Sequence, residues 1–165
     1  MLFRSASVDA LVGSIKPDLI IQAAARIYGV GGFNKYCADI LGEIAVEQVG
    51  DALTDITDAT ISGTLEVIKR SIDNPPAFLV IAMGRYGGAE LGYGSDADVM
   101  FCFTEADETS QTAAHTMANT LRTLLMAPSP DPELVIDADL RPEGKNGPLV
   151  RSYDSFVSYY ERWSS

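Results

Sequence analysis

Two aspartates separated by a single residue are the groups in this chain best placed to bind a metal ion. Asp96 and Asp98 enclose Ala97 at the start of an apolar segment that predicts a β-strand. Side chains two residues apart in a strand project from the same face, roughly 6–7 Å apart along the chain. Two such carboxylates repel each other unless a cation lies between them, and their oxygen ligands suit Mg²⁺. The alternative is an acidic strand edge that faces water.

A glycine-rich segment comes directly before these aspartates and after an apolar run, residues 77–83, that predicts a buried strand. Its five glycines fall within eleven residues: Gly84, Gly87, Gly88, Gly92 and Gly94. Glycine allows positive φ and close backbone approach, so its N–H groups can line an anion site. Arg85 adds forked donors for phosphate. The spacing matches neither the P-loop nor the dinucleotide-binding pattern, but strand, glycine segment and paired aspartates in series favour a nucleotide site.

A third acid is expected on a neighbouring strand. The segment from Glu133 to Leu140 predicts such a strand, and Asp137 and Asp139 share one of its faces. Spacing alone does not choose between these two aspartates. A solvent-exposed acidic pair at a strand end is the alternative interpretation.

The elements that must position these groups follow from apolar periodicity and from chain breakers. Helices are predicted over most of the first 73 residues, with Pro17 opening one, Gly29 closing it, and Pro75 and Pro76 ending the last. A turn is expected at residues 30–32, between helices. The predicted helices after it cover residues 33–41, 46–72 and 109–126 and a segment from 154, and the predicted strands cover 77–83, 96–103, 133–140 and 149–151.

This order divides the chain into a helical lead-in, residues 1–74, and an α+β unit, residues 75–165. The final helix stops without a capping glycine or proline. We therefore expect the unit to be truncated at its C-terminus and the chain to be part of a longer protein.

The composition excludes several classes of function. Twelve basic and twenty-three acidic residues give a net charge of −11, which disfavours nucleic acids and anionic membranes as partners. Cys37 and Cys102 form no metal-binding motif, and His115 is the only histidine, which disfavours a zinc site or a histidine-based triad. No apolar run reaches the roughly 18–20 residues of a membrane span. These features predict a cytoplasmic protein.

Two stretches resemble the signatures of the glutamine synthetase adenylyltransferase family. Residues 83–101, MGRYGGAELGYGSDADVMF, are similar to the first signature, and residues 137–144, DADLRPEG, to the second. The resemblance is strong from about residue 77 onward and weaker in the helical half. It implies a polymerase-beta-like nucleotidyltransferase fold, which is a small mixed sheet with flanking helices, preceded here by the helical segment.

The resemblance also implies roles for individual residues. Asp96, Asp98 and Asp137 match the catalytic, metal-binding carboxylates, which would hold two Mg²⁺ ions. The positions that match the nucleotide-binding loop are Gly84, Arg85, Gly87, Gly88 and Ser95. The sequence departs from the family pattern at Asp139, where arginine is usual, and this leaves Arg141 and Lys145 as the expected phosphate contacts.

Family members carry two such units that act on glutamine synthetase. One transfers AMP from ATP to a tyrosine, the other removes it by phosphorolysis, and the PII signal protein and glutamine set the balance. The lead-in and the intact GSDAD are more similar to the C-terminal, adenylylating half. The alternatives are the deadenylylating half, a related nucleotidyltransferase acting on an antibiotic or an RNA end, and a non-catalytic fragment that docks glutamine synthetase or PII.

Overall fold

A computed structural model describes residues 29, 31–104, 107–128 and 133–163. Helix α1 includes residues 31–40. The later elements are α2 (Val46–Arg70), β1 (Phe78–Ala82), α3 (Gly84–Gly87), β2 (Ala97–Phe103), α4 (Glu108–Leu125), β3 (Ile136–Asp137), a 3₁₀ turn (Gly144–Asn146), β4 (Val150–Ser152) and α5 (Tyr153–Trp163). None of the described helices is both long and apolar enough to cross a bilayer. The predicted helix opened by Pro17 lies outside the described residues.

Strand β2 is the centre of a four-stranded mixed sheet. Along one edge it pairs with β1 in antiparallel register, from Phe78 opposite Phe103 to Ala82 opposite Val99. Along the other edge β3 and β4 follow one another, both parallel to β2. The prediction of a small mixed sheet with flanking helices is confirmed, and this is the arrangement expected of a nucleotidyltransferase-like fold.

The inner face of the sheet is the face that carries Ala97, Val99, Phe101 and Phe103, and it is buried in the main core. Helices α2 and α4 cover this face. Helix α2 contributes a stripe of apolar side chains at helical spacing: Val49, Leu53, Ile61, Leu65 and Ile68. Burying a side chain of this size contributes about 1.5–3 kcal/mol. The lead-in and the unit that follows therefore share one core, and the proposed division at residue 74 stays a prediction.

A gap in that apolar stripe is filled by threonines. Thr57, Thr60 and Thr64 are buried, and each hydroxyl donates to the carbonyl four residues earlier at 2.8 Å. The hydroxyl is thereby satisfied, and the methyl group is left to pack against neighbouring side chains.

The opposite face of the sheet, here termed the outer face, carries Asp98, Met100 and Cys102. Helix α5 covers part of it, because Phe156 packs on Met100 and Cys102. Asp98 lies beyond this cover and stays partly accessible. The outer face is thus apolar and covered at one end, and acidic and open at the other.

Two predicted details are wrong. The third strand is much shorter than residues 133–140, because Asp137 Oδ1 accepts a hydrogen bond from the N–H of Asp139 at 2.7 Å and the chain turns there. Gly31 and Gly32 lie in helix α1 and not in a turn. A Cβ on Gly31 would come within 2.9 Å of Ile56 Cδ1, so this glycine allows two helices to approach closely.

Candidate active site

Two carboxylates project from the open end of the outer face, and a third lies close enough to act on one of them. Asp98 lies in register with Asp137 on the parallel neighbour β3, so the two side chains project to the same side from backbones about 4.8 Å apart. Asp96 directly precedes β2. The pKa of Asp98 is raised, first by burial and then by repulsion from Asp137 and Asp96, while Arg85 lowers it. Asp137, Asp96 and Arg85 therefore all lie close enough to Asp98 to act on its charge.

Gly84 lies against one of these carboxylates. A Cβ at this position would come within 2.7 Å of Asp98 Oδ2, and the backbone has a φ of +54°. Both observations favour glycine, because a side chain would displace the carboxylate and strain the backbone. The Met83 N–H also donates to the Asp98 carbonyl at 2.8 Å. The sequence predicted Gly84 as a nucleotide contact and did not reveal this contact with Asp98.

The first half of the glycine segment forms the single helical turn α3. The N–H of Gly87 donates to the Met83 carbonyl at 2.8 Å, and that of Gly88 to the Gly84 carbonyl at 3.1 Å. A Cβ on Gly87 would lie 2.7 Å from the Ala82 carbonyl oxygen. Gly87 and Gly88 thus close the turn with their own N–H groups in this conformation, and their contact with a phosphate stays a prediction.

The second half of the segment makes a tight turn just before the aspartates. Ser95 Oγ accepts from the N–H of Gly92 at 3.2 Å, and the Ser95 N–H donates to the Gly92 carbonyl at 3.1 Å. Gly94 has a φ of +72°, which favours glycine at this turn. The turn sets the direction in which the chain enters β2 at Asp96.

Asp137 and Asp139 have different surroundings. Asp137 faces Asp98 across the two strands, whereas the carboxylate of Asp139 pairs with Lys145 at 3.1 Å and Arg141 at 3.5 Å. The register of β3 thus brings Asp137, and not Asp139, to the other two carboxylates.

The two cations predicted to contact phosphate are also placed differently. Arg141 is only 11% exposed at its side chain and donates to the carbonyls of Ala138 (2.7 Å), Gly147 (3.2 Å) and Lys145 (3.2 Å). It therefore holds its own loop together. Lys145 is 80% exposed and can reach a ligand in solvent. A phosphate contact by either residue stays a prediction.

The donor set suits a divalent cation. Carboxylate oxygens are the ligands that Mg²⁺ prefers, and besides burial, which is the largest cause, repulsion from Asp137 and Asp96 raises the pKa of Asp98. Within the part of the chain that the structure describes, no three His, Cys, Asp or Glu side chains already enclose a point where an ion would sit. The residues fit the ion by the chemistry of their donor atoms.

Two concave surfaces border the glycine segment. One, of about 290 Å³, lies beside Tyr36, Tyr93 and Ser95, and the other, of about 610 Å³, lies beside Gly50 and Ala89. Neither is lined by Asp96, Asp98 or Asp137. The carboxylates therefore do not line either of these two concave surfaces, and we locate the site by the carboxylates.

A contact that sequence reasoning missed joins the glycine segment to helix α2. The hydroxyl of Tyr86 donates to Asp58 Oδ1 at 2.5 Å. These residues are 28 positions apart and belong to different predicted segments, so no local pattern could have indicated the pair.

Comparison with known proteins gives a consistent result. A sequence profile of the glutamate-ammonia ligase adenylyltransferase family matches residues 32–165. Relatives named bifunctional glutamine synthetase adenylyltransferase/adenylyl-removing enzyme include those of Streptomyces coelicolor, 44% identical over 165 aligned residues, and Mycobacterium tuberculosis, 48% identical over 136. These alignments cover 96% and 77% of this chain but only 16% and 14% of the relatives. The chain thus spans about one sixth of the length of such a relative.

Proposed function

The chain belongs to the glutamate-ammonia ligase adenylyltransferase family, and on that premise we propose that it transfers AMP from ATP to a tyrosine of glutamine synthetase. The observation that carries this proposal is the register of Asp98 with Asp137, next to Asp96 and beside Gly84 and Arg85. A cluster of acidic side chains next to a glycine segment and an arginine is suited to holding a metal-bound nucleotide. In the full-length protein we place this unit in the cytoplasm, under the control of the PII signal protein.

The proposed chemistry assigns a role to each carboxylate. Asp96, Asp98 and Asp137 would hold two Mg²⁺ ions, and bound Mg²⁺ would stabilise the charge on the entering and leaving oxygens of an in-line displacement. The tyrosyl oxygen forms a bond to the α-phosphorus while the bond to pyrophosphate breaks. Asp137 takes up the proton of the tyrosine hydroxyl, whose ordinary pKa is about 10.

Other residues orient the reactants. Arg85 is exposed and close enough to act on Asp98, so its guanidinium can bind phosphate oxygens at the same place. Lys145 supplies a second, mobile cation. Gly84 leaves room for the Asp98 carboxylate, and Gly87, Gly88 and Ser95 hold the segment that would surround the phosphates.

A second candidate reaction uses the same residues. The relatives are named for an adenylyl-removing activity as well, and the chain covers too little of them for its length to distinguish the two activities. In that reaction phosphate attacks the AMP–tyrosine phosphorus, the tyrosyl oxygen leaves and ADP is released. The more specific assignment, to the adenylylating half, rests on the resemblance of the helical lead-in and of GSDAD.

The test offers this chain both substrates in parallel. Unmodified glutamine synthetase is incubated with Mg²⁺ and ATP labelled at the α-phosphate, and the AMP-modified form is incubated with Mg²⁺ and phosphate. Label transferred to a tyrosine supports the proposal, whereas ADP released from the modified form assigns the chain to deadenylylation. Asp98→Asn serves as the control and should abolish either signal.

Calorimetry of Mg²⁺-dependent ATP binding completes the test. Binding by the wild-type chain and its loss in Asp98→Asn would support the nucleotide site. A chain that binds glutamine synthetase or PII but neither ATP nor AMP would be a docking fragment, and the catalytic proposal would then be wrong.

A further inference from the structure

We propose that Tyr86 is a positioning residue for nucleotide binding, because its hydroxyl anchors the glycine segment to helix α2 through Asp58. The inference rests on the proposed function and deepens it. It assigns the helical lead-in a direct part in shaping the nucleotide site.

The contact is specific and well placed. Tyr86 is only 4% exposed, whereas its neighbours Arg85 and Gly87 are exposed. The middle residue of the turn α3 thus points inward, where its hydroxyl donates to Asp58 Oδ1 at 2.5 Å. A hydrogen bond to an ionised acceptor is among the stronger kinds in proteins.

The turn needs such an anchor because it is short. Helix α3 has four residues, and a single turn orders several backbone dihedrals for very few hydrogen bonds. The same turn carries Gly84, which lies against Asp98, and Arg85, whose charge acts on Asp98. The position of Tyr86 therefore determines how a predicted phosphate contact and a predicted metal ligand are presented.

Helix α2 is a suitable support. It has 25 residues and lies in the main core. It also touches the glycine segment at a second place, since a Cβ on Gly50 would come within 2.7 Å of the Ala89 carbonyl oxygen. Ala89 has a φ of +57° there, a conformation that needs support from its surroundings. Two separate contacts thus hold the segment on the helix.

The hydroxyl remains a donor over the physiological range. Burial, then the hydrogen bond and the negative charge of Asp58, raise the pKa of Tyr86 well above its ordinary value. The phenol therefore keeps its proton, and the anchor does not depend on pH near neutrality.

The experiment measures the Kd of Mg·ATP by calorimetry together with the thermal unfolding midpoint. Tyr86→Phe removes only the hydroxyl, and we expect the Kd to rise up to about tenfold, because ordering the loosened turn then costs binding energy. Tyr153→Phe, which removes a hydroxyl from a residue 57% exposed on α5, is the matched control and should leave the Kd unchanged.

Variants of the partner make the test independent of the folding of Tyr86→Phe. Asp58 is exposed, so Asp58→Ala should fold and raise the Kd to a similar extent, whereas Asp58→Asn keeps an acceptor oxygen and should have a smaller effect. If the two residues act as a pair, Tyr86→Phe combined with Asp58→Ala will bind no more weakly than either single variant.

The outcomes separate this inference from the proposed function. Unchanged Kd values in Tyr86→Phe and Asp58→Ala, with or without a lower unfolding midpoint, would make the contact merely structural and overturn the inference, while the nucleotide site would stand. Absence of Mg·ATP binding by the wild-type chain would overturn both.

Discussion

Acidic side chains occur in two neighbouring regions of this molecule, and the structure surrounds them differently. In the first region, the candidate site, Asp98 faces Asp137 across two strands and lies near Asp96, and repulsion from these two acids raises the pKa of Asp98 beyond the effect of burial. In the second region, the loop of residues 139–151, Asp139 pairs with Arg141 and Lys145, and Glu143 pairs with Arg151.

This difference distinguishes the candidate binding site from a region whose acids have a structural role. Acids that repel one another more than a nearby cation offsets keep electrostatic energy that a bound metal ion can relieve, which is a common property of functional sites. Acids that are paired hold a loop in place. Arg141 and Arg151 are only 11% and 12% exposed at their side chains, whereas their partners Asp139 and Glu143 are 39% and 55% exposed. Each ion pair is therefore screened by solvent on its acidic side and contributes about 1 kcal/mol or less.

The largest expected effect tests which aspartate belongs to which region. Asp137→Asn should lower AMP transfer on the order of 100-fold, because a group that faces the reacting centre loses its charge. Asp139→Asn should lower it less than about threefold, since this carboxylate lies in the loop. Initial rates with glutamine synthetase as substrate measure both. If Asp139→Asn causes the larger loss, the division into two regions is wrong.

A smaller effect, on stability, tests whether Arg141 stabilises the second region. Arg141→Gln should lower the free energy of unfolding by about 2–4 kcal/mol, because the carbonyls of Ala138, Lys145 and Gly147 lose a charged donor. Denaturant titration measures the change. Arg85→Gln is the matched control, and because Arg85 is exposed we expect a change within about 0.5 kcal/mol. Equal losses in the two variants would show that both arginines are structural.

The smallest effect concerns Asp107, a carboxylate that accepts hydrogen bonds from uncharged donors. Asp107 caps helix α4, and the hydroxyl of Ser110 (2.7 Å) and then its N–H (2.9 Å) lower the pKa of that carboxyl. A folded pKa below the unfolded value gives stability that is present above about pH 4 and is lost as the pH falls through the folded pKa. Asp107→Ala should therefore lower the unfolding midpoint by about 2–4 °C at pH 7 and much less near pH 3.

The matched variant for this prediction is Asp107→Asn, which keeps a capping oxygen but does not titrate. Its midpoint should stay close to that of the wild type at pH 7. If Asp107→Ala lowers the unfolding midpoint equally at pH 7 and near pH 3, the charge of Asp107 does not contribute to stability. The contrast between this carboxylate and Asp98 would then be wrong.

The sequence by itself determined the local part of this arrangement. A period of two gives strand β2 and the face that carries Asp98, although the predicted strand began one residue early, at Asp96. Periods near 3.6 give helices α2 and α4, and two signature stretches identify the family. These features depend on residues close together in the chain, so they can be predicted without the fold. The predicted third strand was too long because the turn chemistry of Asp137 was not recognised.

Only the tertiary structure decided the rest. The register of β3 against β2 sets Asp137 opposite Asp98, the packing of α2 brings Asp58 to Tyr86, and the course of the chain places Gly84 against a carboxylate. Each of these contacts joins residues far apart in the chain, and their meeting depends on how whole elements pack. Periodicity shows which face a side chain occupies, but packing determines what it meets there.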